Sequence, residues 1–184
     1  MTREESKSAP LLKVEDLRVS FFTPQGEVQA VRGISYQVNQ GEIVGIVGES
    51  GSGKSVEAYS ILGLLQATGR VVGGSITFEG EDVLGFNRAQ MAAFRGGRAA
   101  MIFQNPMTCL NPVYPIGSQL VEALRAHDRT VSRRQARERA VEMLTLVGIN
   151  NAPRRMEQYP HQLSGRQRQR VMIAMALICR PRLL

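Results

Sequence analysis

Apolar and polar positions alternate in part from Leu11 to Phe22, the period of a strand with one buried face. Thr23-Pro24-Gln25-Gly26 then reads as a turn. Glu27–Arg32 and Ile34–Val38 read as two further strands. Short strands joined by tight turns predict an antiparallel sheet at the N-terminus. Asn39-Gln40-Gly41 turns the chain into Glu42–Val47, a short apolar run rich in β-branched residues, which predicts a buried parallel strand. Here the period changes. Val56, Tyr59, Ile61, Leu62 and Leu65 mostly recur at helical spacing, so a helix is predicted to begin near Lys54. Gly73–Gly80 is a turn-bounded strand, Arg88–Phe94 is helical, and Ala99–Phe103 is a second buried parallel strand.

Beyond Gln104 the pattern changes again. Asn105–Pro115 holds three prolines and is predicted to be loop. Helices are predicted over Gly117–Ala126 and Ser132–Val147, the second with Ser132 as N-cap and Gly148 as its C-terminal stop. Pro153–Pro160 breaks the pattern. A last helix is predicted over Gly165–Cys179, with Val171, Ile173, Ala174, Leu177 and Ile178 on its apolar side. The fold class that follows is α/β, with a helical insert over about 105–165 in the middle of the frame. Residues 1–10 read as a disordered lead-in to a domain over 11–184.

The length of 184 residues and an apolar content of 43 % suit one globular domain. No apolar run approaches the roughly 20 residues that span a bilayer. The polar start Met1–Lys7 has no apolar signal core, so the expectation is a chain made and kept in the cytosol. Cys109 and Cys179 lie far apart with no metal-ligand spacing, and are expected to be reduced thiols. The net charge of +7 is carried almost entirely by arginine, since Lys7, Lys13 and Lys54 are the only lysines. Such a balance suits nucleic acid, anionic headgroups or an acidic partner. The densest run, Arg133–Arg139, reads first as a solvated helix face. Aromatics make up 5 % and none interleave with that run, which argues against a base-stacking surface.

The densest chemistry lies at Gly48-Glu49-Ser50-Gly51-Ser52-Gly53-Lys54-Ser55, which fits the phosphate-binding pattern G-x-x-x-x-G-K-[ST] between a predicted strand and a predicted helix. Gly51 and Gly53 let the backbone fold around an anion without a Cβ clash. Amides from about Gly51 to Ser55 then point inward, and the helix aims the positive end of its dipole at the same place. Lys54 supplies a full charge for the β- and γ-phosphates, and the Ser55 hydroxyl suits Mg²⁺.

Two further strings stand beside this loop: Phe103-Gln104-Asn105-Pro106 and Tyr159-Pro160-His161-Gln162-Leu163-Ser164-Gly165-Arg166-Gln167-Arg168-Gln169-Arg170. In this order they resemble the Q-loop and signature motif of ABC transporter ATP-binding subunits, and in particular the oligopeptide/dipeptide import subfamily. The resemblance runs from about Leu11 to Leu184. It implies a P-loop NTPase core of the ABC type with an N-terminal antiparallel β-subdomain and a helical insert. It also implies ATP and Mg²⁺ as cofactors, bound by Gly48–Ser55 with Ser55 and Gln104 at the metal. Phe21 fits the adenine-stacking aromatic, with Phe22 as second choice and an ordinary core aromatic as the equal alternative. Leu163, Ser164, Gly165, Arg166 and Gln167 would cap ATP bound to the opposite subunit. The loop Asn105–Ile116 would face a membrane subunit. His161 reads as structural and His127 as solvated.

The implied partners are two transmembrane permease subunits, a second ATP-binding subunit and an extracytoplasmic solute-binding protein. Nucleic acid is not expected. The place would be the cytoplasmic face of the bacterial inner membrane, and the task peptide import. Two departures qualify this. The family's signature has two glycines after its serine, whereas here stand Gly165 and Arg166. Arginine adds bulk where backbone must approach phosphate closely, which implies impaired capping; the alternative is a guanidinium that attracts the γ-phosphate. The family's Walker B aspartate, catalytic glutamate and switch histidine would follow Leu184. The expectation is therefore a partial domain with its C-terminal strands missing, no identifiable catalytic carboxylate and weak turnover on its own. An inactive remnant, or an ABC-type ATPase acting on nucleic acid, are the other readings.

Overall fold

A computed structural model of the chain describes residues 9–105 and 109–184. The lead-in expected over residues 1–10 lies outside them as far as Ser8, and so do Pro106–Thr108 of the expected loop. The chain forms two compact units, residues 1–92 and 93–184.

In the first unit, β1 (Leu12–Thr23), β2 (Gly26–Val38), β3 (Gly69–Phe78) and the short β4 (Glu81–Asp82) make an antiparallel sheet in the order β2-β1-β3-β4. Leu12, Val14, Leu17, Val19, Ile76 and Phe78 are almost completely buried and form its core face. The alternation on β1 is only partial because one extra residue is inserted between Val14 and Leu17, where Asp16 takes a φ of 44°. That bulge shifts the inward phase by one position, so that Leu17 and Val19 again face the core. On β2 the matching irregularity is Gly33, with a φ of 95°. The expected strands Glu27–Arg32 and Ile34–Val38 are therefore one strand that Gly33 interrupts without ending. Helix α1 (Lys54–Ile61) follows the phosphate-binding pattern.

The predicted buried strand Glu42–Val47 is not formed. It has no regular structure, and Ile43 and Val47 are 97 % and 93 % exposed. A strand exists only by pairing, and among the described residues no strand lies beside this one.

Helix α2 (Arg88–Phe94) spans the boundary between the units. The second unit holds α3 (Ile116–His127), α4 (Arg133–Leu146), the one-turn α5 (Ala152–Arg155) and α6 (Gly165–Leu177). Ile116, Leu120, Ala136, Ala140, Leu144 and Val171 are fully buried at its core. Ser132 caps α4 with a reciprocal Ser132–Gln135 pair of hydrogen bonds, as its position predicted. The predicted strand Ala99–Phe103 is also reduced. Only Ala99 is deeply buried, and it makes a parallel bridge to Leu183, while Ile102 and Phe103 are more than a third exposed. Two bridges do not make a ladder, so the parallel sheet expected here is rudimentary. Among the described residues no helix is long and apolar enough to cross a membrane.

Candidate nucleotide-binding site

Gly53 is the N-cap of α1 and adopts a left-handed φ of 95°. A Cβ at this position would lie 2.5 Å from the Ala30 carbonyl oxygen, so only glycine lets the loop pass so close to β2. With no side chain at the cap, no side-chain hydrogen bond takes up the first amides of α1. They are available to an anion, at the positive end of the helix dipole. Gly51 is also left-handed, with a φ of 83°.

Lys54 is held inside the loop that precedes it. Its ammonium donates to the carbonyl oxygens of Gly48 at 2.7 Å and Glu49 at 2.6 Å, and to the Ser52 hydroxyl at 3.2 Å. The Ser52 amide donates to the Glu49 carbonyl at 3.2 Å and closes the turn. The structure thus gathers Gly48, Glu49, Ser52, Gly53 and Lys54 around one point, with Ser55 exposed in the first turn of α1. This arrangement fits a phosphate: uncapped amides, a left-handed glycine and one cation share a concave turn. Among the described residues no group of three or more His, Cys, Asp or Glu could hold a metal ion. A Mg²⁺ here would rest on the Ser55 hydroxyl and on phosphate oxygens.

One feature was missed from the sequence. Of the expected apolar side, Ile61 and Leu62 are buried and Val56 and Tyr59 only partly so, while the polar Glu57 and Ser60 are buried with Ile61. Glu57 is 2 % exposed and accepts a short hydrogen bond from the Tyr36 hydroxyl on β2. Burial raises the Glu57 pKa above its ordinary 4.5, against the opposing effect of the Tyr36 bond. Burial likewise raises the Tyr36 pKa, reinforced by the bond to Glu57 and by its charge. The signal was available: with Ser60 and Ile61, Glu57 falls at i, i+3 and i+4 on one helical face.

Phe21 is half-buried on β1, its ring lying over Gly69, where a Cβ would come within 2.8 Å of the ring. Phe22 faces the other side, 45 % exposed, with the Arg70 guanidinium 5.9 Å from its ring centre.

Gln104, Leu163 and Ser164–Gln167 belong to the second unit. Gln104 is exposed. Ser164 caps α6: its hydroxyl accepts from the Gln167 amide at 3.3 Å, and the Gln167 side chain accepts from the Ser164 amide at 2.9 Å. Leu163 is buried and anchors the turn, whereas Gly165 and Arg166 are exposed. Arg170 fixes α6 to the end of α4 through the carbonyls of Val147 at 2.7 Å and Gly148 at 3.0 Å. The His161 ring stacks on Tyr159 at 5.7 Å, and His127 is exposed. Cys109 and Cys179 are free thiols.

Residues 31–184 match the ABC transporter family. The oligopeptide transport ATP-binding protein OppD of Escherichia coli is 49 % identical over 180 residues, covering 98 % of this chain and 53 % of that one. The dipeptide transport ATP-binding protein DppD of Haemophilus influenzae is 49 % identical over 174 residues, covering 95 % of this chain and 52 % of its own. The chain spans about half the length of the curated relatives it matches. Among solved structures, the dimeric ATP-binding cassette MJ0796, in a post-hydrolysis state bound to ADP and Pi, aligns with a TM-score of 0.81 at 26 % identity, over 92 % of this chain and 70 % of that one. With that match and the three motifs in order, the chain belongs to the ABC transporter family.

Proposed function

We propose that the chain is the ATP-binding, energy-coupling part of a peptide-importing ABC transporter. The observation that carries this is the Lys54 ammonium enclosed by the Gly48–Ser52 turn at the uncapped start of α1. The phosphates of ATP would take the uncapped amides and draw Lys54 from carbonyl to phosphate oxygens. Ser55 would hold Mg²⁺, Gln104 is the further residue that the family resemblance names for it, and the ion would supply positive charge against the phosphates. Phe21 is the candidate for adenine. Leu163–Gln167 would address ATP on a second ATP-binding subunit, with Ser164 and Gln167 holding the turn and Gly165 leaving open space for the phosphate.

Transport of peptides is supported by the names of the relatives, which are oligopeptide and dipeptide transport ATP-binding proteins. The partners in this reading are two transmembrane permease subunits, met by the loop Asn105–Ile116, and an extracytoplasmic solute-binding protein. The chain would lie on the cytoplasmic face of the inner membrane. Calorimetric titration of ATP into the parent and Lys54→Ala tests the reading. The expected loss is about ten- to a hundredfold, the worth of one charge-assisted contact. Equal affinities would remove this loop as the site.

A further inference from the structure

The helical unit carries a second basic concavity, built from residues that the nucleotide site does not use. It has a volume of about 780 Å³, within the range of small-molecule sites. Ser118, Glu122 and Arg125 line it from one face of α3, at i, i+4 and i+7. Arg133 and Arg137 line it from α4, one turn apart, and Arg129 from the connection between the helices. Four guanidiniums thus meet Glu122 alone among the lining residues. A second carboxylate, Glu157, holds Arg137 at 2.5 Å. The remaining arginines leave the cleft with an excess of positive charge.

Arg125 is half-buried, and its Nε is shielded from solvent without a hydrogen-bond partner. That shielding keeps a cleft oxygen from Nε itself, so Arg125 contributes to the cleft through the charge of its guanidinium. Every cation in the cleft is arginine, whose planar fork matches phosphate oxygens two at a time. No aromatic side chain lines it, so a nucleobase finds nothing to stack on. We propose that this cleft binds a small polyphosphorylated anion through Arg125, Arg129 and Arg133, independently of Lys54. Arg137, already engaged by Glu157, has a minor part.

The test is calorimetric titration of inorganic tripolyphosphate into the full 184-residue chain carrying Lys54→Ala. Single-site binding is expected, weakening as salt rises. Arg125→Gln, Arg129→Gln and Arg133→Gln should each weaken it about tenfold or more, and Arg137→Gln less than threefold. Arg129 and Arg133 are exposed, so their variants keep the fold even where Arg125→Gln does not, and thermal melts by circular dichroism verify this. Unchanged affinity in the Arg129 and Arg133 variants would overturn the proposal. A parallel arm uses phosphatidylglycerol vesicles. Vesicle binding that depends on these arginines, without any binding of tripolyphosphate, would overturn the small-anion assignment in favour of a lipid surface.

Discussion

Glu57→Gln should make the protein more stable, and the gain should grow with pH. The carboxyl is 2 % exposed and its pKa is raised by burial, so the folded chain holds the proton more tightly than the unfolded chain, which releases it near 4.5. Such a group contributes its full stability below the unfolded value, and loses it progressively as pH rises through the folded one. Above that window the parent carries a constant penalty for a buried charge. Glutamine removes the charge and keeps an oxygen to accept from Tyr36. The two proteins should therefore melt alike below about pH 4.5 and diverge above it. Within the window each pH unit adds at most about 1.4 kcal/mol. For a chain of this size, 1 kcal/mol moves the melting temperature by about 2–4 °C. Thermal melts at pH 4 and pH 8 decide the matter. A variant that melts lower than its parent at both values would mean that the carboxylate is a net stabiliser, and the reasoning would be wrong.

The opposite partner gives an alkaline signature. The Tyr36 pKa is raised, so its contribution holds below pH 10 and is lost as pH rises further; Tyr36→Phe should abolish that alkaline loss while costing about 1–3 kcal/mol at neutral pH by leaving Glu57 without its donor. Gly53→Ala places a methyl against the Ala30 carbonyl at a φ of 95°, costing about 1–2 kcal/mol from the backbone alone and more from the collision, and ATP titration should register weaker binding. Ser164→Ala removes the cap of α6 and should cost about 0.5–2 kcal/mol in a urea melt; no change would mean that Gln167 alone holds the turn.

The helices were the most legible elements. Arg88–Phe94 has the predicted bounds, and α4 lies one residue inside its prediction at each end, because Ser132 and Gly148 are local signals that act through the nearest backbone groups. The antiparallel sheet was legible in kind, but the bulges at Asp16 and Gly33 were not, since register depends on the partner strand. The apolar runs Glu42–Val47 and Ala99–Phe103 misled because composition states what a segment would bury, whereas a strand also needs a neighbour. At the phosphate loop the pattern named the residues, since glycine and lysine act there through backbone conformation and charge. The Glu57–Tyr36 contact joins positions 21 residues apart, and neither residue announces the other.

The position of Lys54 bears on how tightly the loop can hold a nucleotide. Two carbonyls and a hydroxyl hold the ammonium within 3.2 Å. These bonds tie the loop to its own cation, and a phosphate that takes Lys54 would have to displace them at least in part. Binding is then an exchange of carbonyl for phosphate oxygens, and the net gain is the difference between a charged and a neutral acceptor rather than a full ion pair. Lys54→Ala removes the gain and these bonds together. Lys54→Arg keeps the charge but brings a planar fork in place of a compact ammonium held by converging oxygens. Arginine should therefore restore little of the affinity, although the net charge is unchanged.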